Sequence, residues 1–437
     1  MAASWLSLAL GIGCLGLQQQ EADLGGRLQS VARAAVAEFE VPGLSVRIAT
    51  HDGVLLSRGL GYIDSERKTI ETPLASRDGE ALMEPFLCTG LLAQVEAGKL
   101  ALDAPLTEFF PKLTFGGKRV LVGHLLEQAS GIPDCSDWLV VRAEPATAAD
   151  VVAWLETRPL DSDPGTCTAY SASNVVLVGV LLERLGEKPA VEMLQSKVLD
   201  PLGLEETSIA TRVELREASA RASVLQESPR ELLNIPPITT QLADVEKFLR
   251  GIGSGKVIGA AGVRVLQTGT LALPRNGSRA CGFQRASLAR NEALSFSSNG
   301  ATGSLYAAWY PDLELSIVLA TSGDTERLPV LERRLARTIL DLPEPGIVDL
   351  PLGRDQREIY LGGYYIGCTR VTIDERGEGL EYQTPYGDRH RLRYQGHERF
   401  VSAEDPELSL EFTVEHGRAV SFVLTQRGLQ TTARRLD

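Results

Sequence analysis

Between residues 343 and 353 the helix and strand breakers crowd together, at Pro343, Pro345, Gly346, Pro351 and Gly353. Such a run can continue neither a helix nor a hydrogen-bonded ladder, so it reads as a linker. The apolar rhythm differs on its two sides. Before it, long helical spacings are mixed with a few strand-like runs. After it, residues 355–437 alternate apolar and polar at short spacing between many turn residues, the pattern of a small all-β barrel or sandwich. A chain that changes period across a linker folds as separate units, and 437 residues exceed one small core. The expected division is a leader over 1–20, a main unit over 21–342, a linker over 343–354 and a β-rich unit over 355–437.

In the main unit, Leu24, Leu28, Val31, Ala35 and Phe39 recur at helical spacing, which predicts a helix over 21–39 ended by Pro42-Gly43. Leu44–Ala49 and Val54–Gly59 read as a hairpin around His51-Asp52-Gly53. From about 80 to 250 the pattern is mainly helical. Phe86–Ala97 is apolar on most faces, as a buried helix would be, with Gly98 placed to cap it. Residues 174–186 and 190–199 repeat that style. Strands return at Gly303–Trp309 and Leu315–Thr321 around Pro311-Asp312, before a charged helix over Glu326–Leu342. The two hairpins are expected in one antiparallel sheet, its faces covered by the 21–39 and 326–342 helices. In the tail, strand candidates are Tyr364–Ile373, Leu380–Thr384, Arg391–Tyr394, Leu408–Val414, Val420–Thr425 and Thr431–Arg435.

Composition narrows the function classes. The net charge of −13 repels phosphate backbones, which argues against a nucleic-acid partner. No apolar run reaches the 18 or so residues of a transmembrane helix. Leu6–Leu17 is as long as a signal-peptide core and stops at Gln18-Gln19-Gln20, so the protein is expected to be exported, to a periplasmic, cell-surface or extracellular site. The alternative is a short apolar helix docked on the fold. Gly11-Ile12-Gly13-Cys14 loosely resembles a lipoprotein processing site, which leaves a lipid anchor at Cys14 open. The six cysteines form no CxxC pair, and the five histidines are scattered, so no zinc site and no cofactor is expected. Buried free thiols are the default for most of these cysteines.

Several phrases resemble the serine β-lactamase and penicillin-binding-protein superfamily, in the branch of class C β-lactamases, D-alanyl-D-alanine carboxypeptidases and esterases. They are Val41-Pro42-Gly43-Leu44-Ser45, Glu96-Ala97-Gly98-Lys99-Leu100 running on to Pro105-Leu106, His124-Leu125-Leu126 with Ala129-Ser130-Gly131-Ile132-Pro133, Pro164-Gly165-Thr166, Tyr170-Ser171, and Asp200-Pro201-Leu202-Gly203-Leu204. The resemblance covers about residues 40–340. It implies an α/β fold, an antiparallel sheet flanked by helices with a helical lobe. The tail is similar to the lipocalin-like domain of some secreted members. It also implies a cleft whose mouth is bordered by the segments after Ser130-Gly131 and before Tyr170, where Cys135 and Cys167 would pair.

Such enzymes set a serine three residues before a lysine at a helix N-terminus. Residues i and i+3 share a helix face, so the amine reaches the hydroxyl that it activates. Counted back from Glu96-Ala97-Gly98-Lys99, the nucleophile position here is Ala81 and the lysine position Glu84, followed by the fitting Pro85-Phe86. Tyr170 is the one retained catalytic position. Ala172 stands where an asparagine amide is expected, and Phe296-Ser297-Ser298-Asn299-Gly300, with Ser297 at the motif position, contains no Lys or His. Ser65-Glu66-Arg67-Lys68 has the right spacing but precedes the helix in a charged turn. His51 reads as a turn histidine and His124 as a packed one. Two readings follow. The first is an exported pseudoenzyme whose old cleft binds a cell-wall peptide, a glycan or a protein partner. The second is a serine hydrolase using displaced residues, with Ser171, Ser173, Ser297 or Ser298 attacking and Glu84 or Tyr170 taking the proton.

Overall fold

Strand alternation in the first hairpin builds one side of a seven-stranded antiparallel sheet. The structure, a computed structural model, describes residues 23–63, 66, 68–79, 82–141, 146–209, 238–269, 279–300, 303–323, 325–385 and 389–436. The leader and Cys14 lie outside the described residues. The large sheet contains β1 (Gly43–Thr50), β2 (Gly53–Gly61), β6 (Arg279–Ala280), β7 (Phe283–Leu288), β8 (Asn291–Gly300), β9 (Gly303–Tyr310) and β10 (Leu315–Thr321), in the order β2-β1-β10-β9-β8-β7-β6. Between them in sequence, β3 (Arg77–Asp78), β4 (Ser208–Ile209) and β5 (Ile238–Thr240) make a small separate sheet. The two hairpins join through Val46 opposite Leu319 and Leu319 opposite Tyr306, in the single sheet that the sequence predicts.

The five helices that matter here are α1 (residues 23–38), α2 (Met83–Glu96), α3 (Ala172–Gly186), α4 (Leu242–Gly253) and α5 (Leu328–Ile339). The sheet has two differently covered faces. Val46, Ile48, Leu319, Tyr306 and Tyr310 pack with Leu28, Ala32 and Ala35 of α1 and Leu331 and Leu335 of α5. Val318, Ala320, Ala307, Leu294 and Phe296 pack with Phe248 and Leu249 of α4 and with the helical lobe. The terminal helices therefore share one face rather than taking one each. The lobe is large enough to cover the other.

Helix α2 is apolar nearly all round because it runs through the lobe interior. It packs on α3, where a Cβ added at Gly90 would meet Leu182 at 3.3 Å, so the two helices approach closely. A disulfide joins Cys88 of α2 to Cys281 in the turn between β6 and β7. This replaces the expected Cys135–Cys167 bridge. Cys135 is fully buried with its thiol against the Ser173 side chain, whereas Cys167 is half-buried in another loop. Buried contacts across 193 residues bring Cys88 and Cys281 together, and no local spacing announces them.

Beyond the linker, β11 (Gly362–Ile366), β12 (Thr369–Arg376), β13 (Gly379–Gln383), β14 (Arg389–Gly396), β15 (Arg399–Ser402), β16 (Leu408–Glu415), β17 (Arg418–Gln426) and β18 (Leu429–Arg435) close into an eight-stranded barrel, as a lipocalin-like domain would. Closure pairs β11 with β18 and leaves neither edge free. Tyr364, Tyr382, Phe400, Phe412 and Phe422 fill the centre and contact one another edge-on or tilted. An eight-stranded barrel is just wide enough for such a packing.

Candidate functional site

The site is built where α2, α3 and β6 meet. Glu84, in the first turn of α2, is 17% exposed and takes a hydrogen bond on each oxygen. Gln128 Nε2 donates to Oε1 at 2.9 Å, and Arg279 Nη2 donates to Oε2 at 2.8 Å. Gln128 has a left-handed backbone (φ 53°), which turns its side chain toward α2. Its carbonyl oxygen Oε1 accepts from Asn174 Nδ2 (2.7 Å) and from the Ser171 backbone N–H (3.0 Å). Asn174 Oδ1 in turn accepts from Ser130 Oγ at 2.7 Å, and Ser130 Oγ from the Ile132 N–H at 3.0 Å. Every donor in this chain points toward Glu84. Hydrogen bonds aligned in one direction polarise one another, so the chain holds Gln128 in place against Glu84 as a unit.

Two of the four hydroxyls that the hydrolase reading names are engaged elsewhere. Ser171 Oγ and Ser173 Oγ both donate to the Pro133 carbonyl, at 3.2 and 2.7 Å. Asp134 Oδ1 accepts from the Ala172 N–H at 3.0 Å and so caps the start of α3, while the Ala172 methyl is buried. Tyr170 is half-buried with the Arg279 guanidinium 5.3 Å from its ring centre, a cation–π contact. Arg279 thus bridges the tyrosine and the carboxylate.

Ser297 and the lobe-facing part of β8 separate by the period-two rule. Leu294 and Phe296 face the lobe, so Ser298 does as well, and Ser297 points with Ala293 and Ser295 to the other side. Ala81 lies outside the described residues, as does Ser65. Lys68 pairs with Glu66. His51 is exposed in its turn beside Asp52 (3.0 Å). His124 is buried, and its Nδ1 accepts the Leu121 N–H at 3.1 Å, while burial holds its pKa below the ordinary value. The structure thus gathers Glu84, Tyr170 and Ala172 and adds Arg279, Gln128 and Asn174, which the motifs did not point to. The signal for Arg279 was charge: a carboxylate in a lysine's place requires a cation within reach.

With this geometry in hand, comparison with known proteins is decisive for family. The beta-lactamase family model matches residues 28–340. The chain belongs to the beta-lactamase family. It is 25% identical over 187 residues to protein flp of Staphylococcus aureus (strain COL), a match covering 42% of this chain and 38% of that one. It is 28% identical over 191 residues to a D-aminopeptidase of Gluconobacter oxydans (strain 621H), covering 42% and 35%. These matches span well under half the length of either relative. Among solved structures, the octameric penicillin-binding protein homologue from Pyrococcus abyssi superposes with a TM-score of 0.65 at 19% identity, over 94% of this chain and 99% of that one. The D-amino acid amidase from Ochrobactrum anthropi SV3, complexed with L-phenylalanine amide, gives 0.61 at 19% identity, over 73% and 99%. At such identities the likeness is one of fold.

Proposed function

We propose that this member of the beta-lactamase family is a non-catalytic, exported protein that uses the old cleft to bind a cell-wall peptide, a glycan or a protein partner. The observation that carries the reading is the state of Glu84. A general base must reach the proton of the attacking hydroxyl. Here the hydrogen bonds to the Glu84 carboxylate come from Gln128 and the Arg279 guanidinium and not from a serine hydroxyl, and Ser130, Ser171 and Ser173 direct their hydroxyls to other acceptors. Arginine does not act as the missing base, because it keeps its proton. Ala81 offers no nucleophile. Export is supported by the apolar 6–17 stretch and by the Cys88–Cys281 disulfide, since such bonds persist in oxidising compartments.

The test is direct. Purified protein incubated with a fluorescent penicillin and, separately, with a fluorophosphonate should take up neither label. Stoichiometric labelling that disappears on mutating one serine would overturn the reading and identify a displaced nucleophile. A thermal-shift screen with muropeptides and glycans then tests binding, because a ligand that prefers the native state raises its melting temperature.

A further inference from the structure

One end of the barrel faces the β-lactamase-like unit. Ile366 at the end of β11 pairs with Ala433 of β18, and Gln426 pairs with Leu429. The turn at Gly367-Cys368 and the turn at Arg427-Gly428 therefore stand at the same barrel end. The second turn is seated on β7: the Ser287 N–H donates to the Arg427 carbonyl (2.8 Å), and Arg427 Nη1 reaches Gln284 Oε1 (2.8 Å). The first turn reaches the loop that leads to Tyr170, where the Cys368 and Cys167 side chains are near neighbours. That loop is braced against the Gln128 segment on both sides of Cys167, through Gly165 N–H to Ala129 O and Ala169 N–H to Gln128 O, each 2.8 Å. Cys167 is half-buried and Cys368 exposed, so small reagents can reach the pair.

We infer that Cys167 and Cys368 are a disulfide-forming site that fastens the barrel tip to the rim of the cleft, three residues before Tyr170. The bond forms by exchange with a low-molecular-weight or protein disulfide. One thiolate attacks the disulfide and releases a thiol, and the second thiolate displaces the other thiol. Two cysteines are oxidised, one disulfide is reduced to two thiols, and the two protons pass to the released thiolates. Exchange proceeds through the thiolate. Although the residue as a whole is exposed, partial shielding of its thiol, and then the neighbouring Cys167, push the Cys368 thiol up to about 11, so closure should be slow at neutral pH and speed up as pH rises. The cross-link bypasses the linker and needs no chemistry in the cleft. It therefore stands or falls apart from the reading of the cleft as non-catalytic.

Full-length protein treated with oxidised glutathione, blocked with an alkylating reagent and digested without reductant should yield a peptide pair joining residues 167 and 368, beside the 88–281 pair. The rate of its appearance should rise steeply between pH 7 and about pH 10, as thiolate accumulates. Cys368→Ser and, separately, Cys167→Ser should abolish this pair and leave 88–281 in place. Should either variant misfold, mapping of the unmodified protein still decides the matter. Full alkylation of both cysteines after oxidation, oxidation that stops at a glutathione adduct on either one, or pairing of Cys167 with Cys135 would overturn the inference.

Discussion

Glu84 in the cleft and Glu332 beneath the barrel both sit beside an arginine, yet their surroundings make them different objects. Glu84 is partly open to solvent and takes direct hydrogen bonds from Gln128 and from Arg279, a residue on the edge strand β6. Glu332 on α5 is 1% exposed and accepts a hydrogen bond from Tyr310 (2.6 Å). Tyr310 also accepts from Arg333 (3.3 Å), whose other nitrogen donates to the Arg427 carbonyl of the barrel (3.1 Å). Burial raises the Glu332 pKa, and the Arg333 and Arg427 charges only partly offset that. The Glu84 carboxylate keeps partial access to solvent. The joint carboxylate is sealed, and its partners include the second structural unit. A buried charge that a docked domain helps to neutralise makes the docking part of the fold's stability.

The largest expected effect lies on the cleft side. Replacing Cys88 and Cys281 by alanine frees a loop of 193 residues, and the chain-entropy estimate for its closure is about 5 kcal/mol. Urea unfolding should show that loss. A loss below about 1 kcal/mol would mean that packing alone holds α2 to the β6–β7 turn, and that residual structure in the unfolded chain masks the constraint.

On the joint side, Glu332→Ala leaves Arg333 buried and unmatched, and should cost roughly 3–5 kcal/mol. Glu332→Gln keeps the Tyr310 contact and should cost less. Its sign with pH sharpens the contrast. An acid whose folded pKa is raised holds its proton better when folded, so it contributes most below the unfolded value. That contribution is lost as pH rises toward the folded value. Relative to Glu332→Gln, the unmodified protein should therefore lose stability from about pH 4.5 upward. A stability difference that stays flat with pH would show that Arg333 and Arg427 fix the carboxylate as an anion throughout.

Much of this architecture was legible because it rests on local pattern. The two hairpins of the main sheet follow from alternation and turn residues, and α2 follows from an apolar run too continuous for a surface helix. The barrel was legible in kind but not in count. Tyr364–Ile373 is two strands, split at Gly367-Cys368 without a proline, asparagine or aspartate to mark the turn, and Arg399–Ser402 is too short to show a period. The site was legible only where a residue occupies a motif position. Glu84 could be found by counting along one helix. Arg279 lies on a two-residue strand and matters because the chain returns there after 195 residues, which tertiary packing decides.

A smaller effect belongs to His124, just before the Gln128 turn. Its Nδ1 must stay unprotonated to accept the Leu121 N–H, and burial lowers its pKa. A histidine with a depressed folded pKa contributes stability that is present above its unfolded value near 6.5 and is lost as pH falls through the folded one. Between pH 7 and 5 the unmodified protein should lose about 1 kcal/mol, the worth of one hydrogen bond, relative to His124→Asn. Parallel pH curves for the two proteins would show that the ring merely fills space.

The smallest expected effect is the most informative about the cleft. Ala81→Ser with Glu84→Lys restores the first family motif, but the new ammonium would face the Arg279 guanidinium, which now donates to a carboxylate 2.8 Å away. Two like charges at that range repel, which costs stability and drives the new lysine side chain away from the serine that it must serve. The double variant should therefore remain unlabelled by fluorescent penicillin and be less stable than the parent. Adding Arg279→Ser removes the repulsion, and Ala172→Asn with Ser298→His returns amide and imidazole groups, the latter from the lobe-facing position of β8 rather than from Ser297. Faint but time-dependent labelling should appear at that stage and not before. Strong labelling of the double variant alone would show that Arg279 swings clear of the cleft. The Glu84–Arg279 pair would then be a loose surface contact, and the distinction between a partly open carboxylate and a sealed one would rest on Glu332 alone.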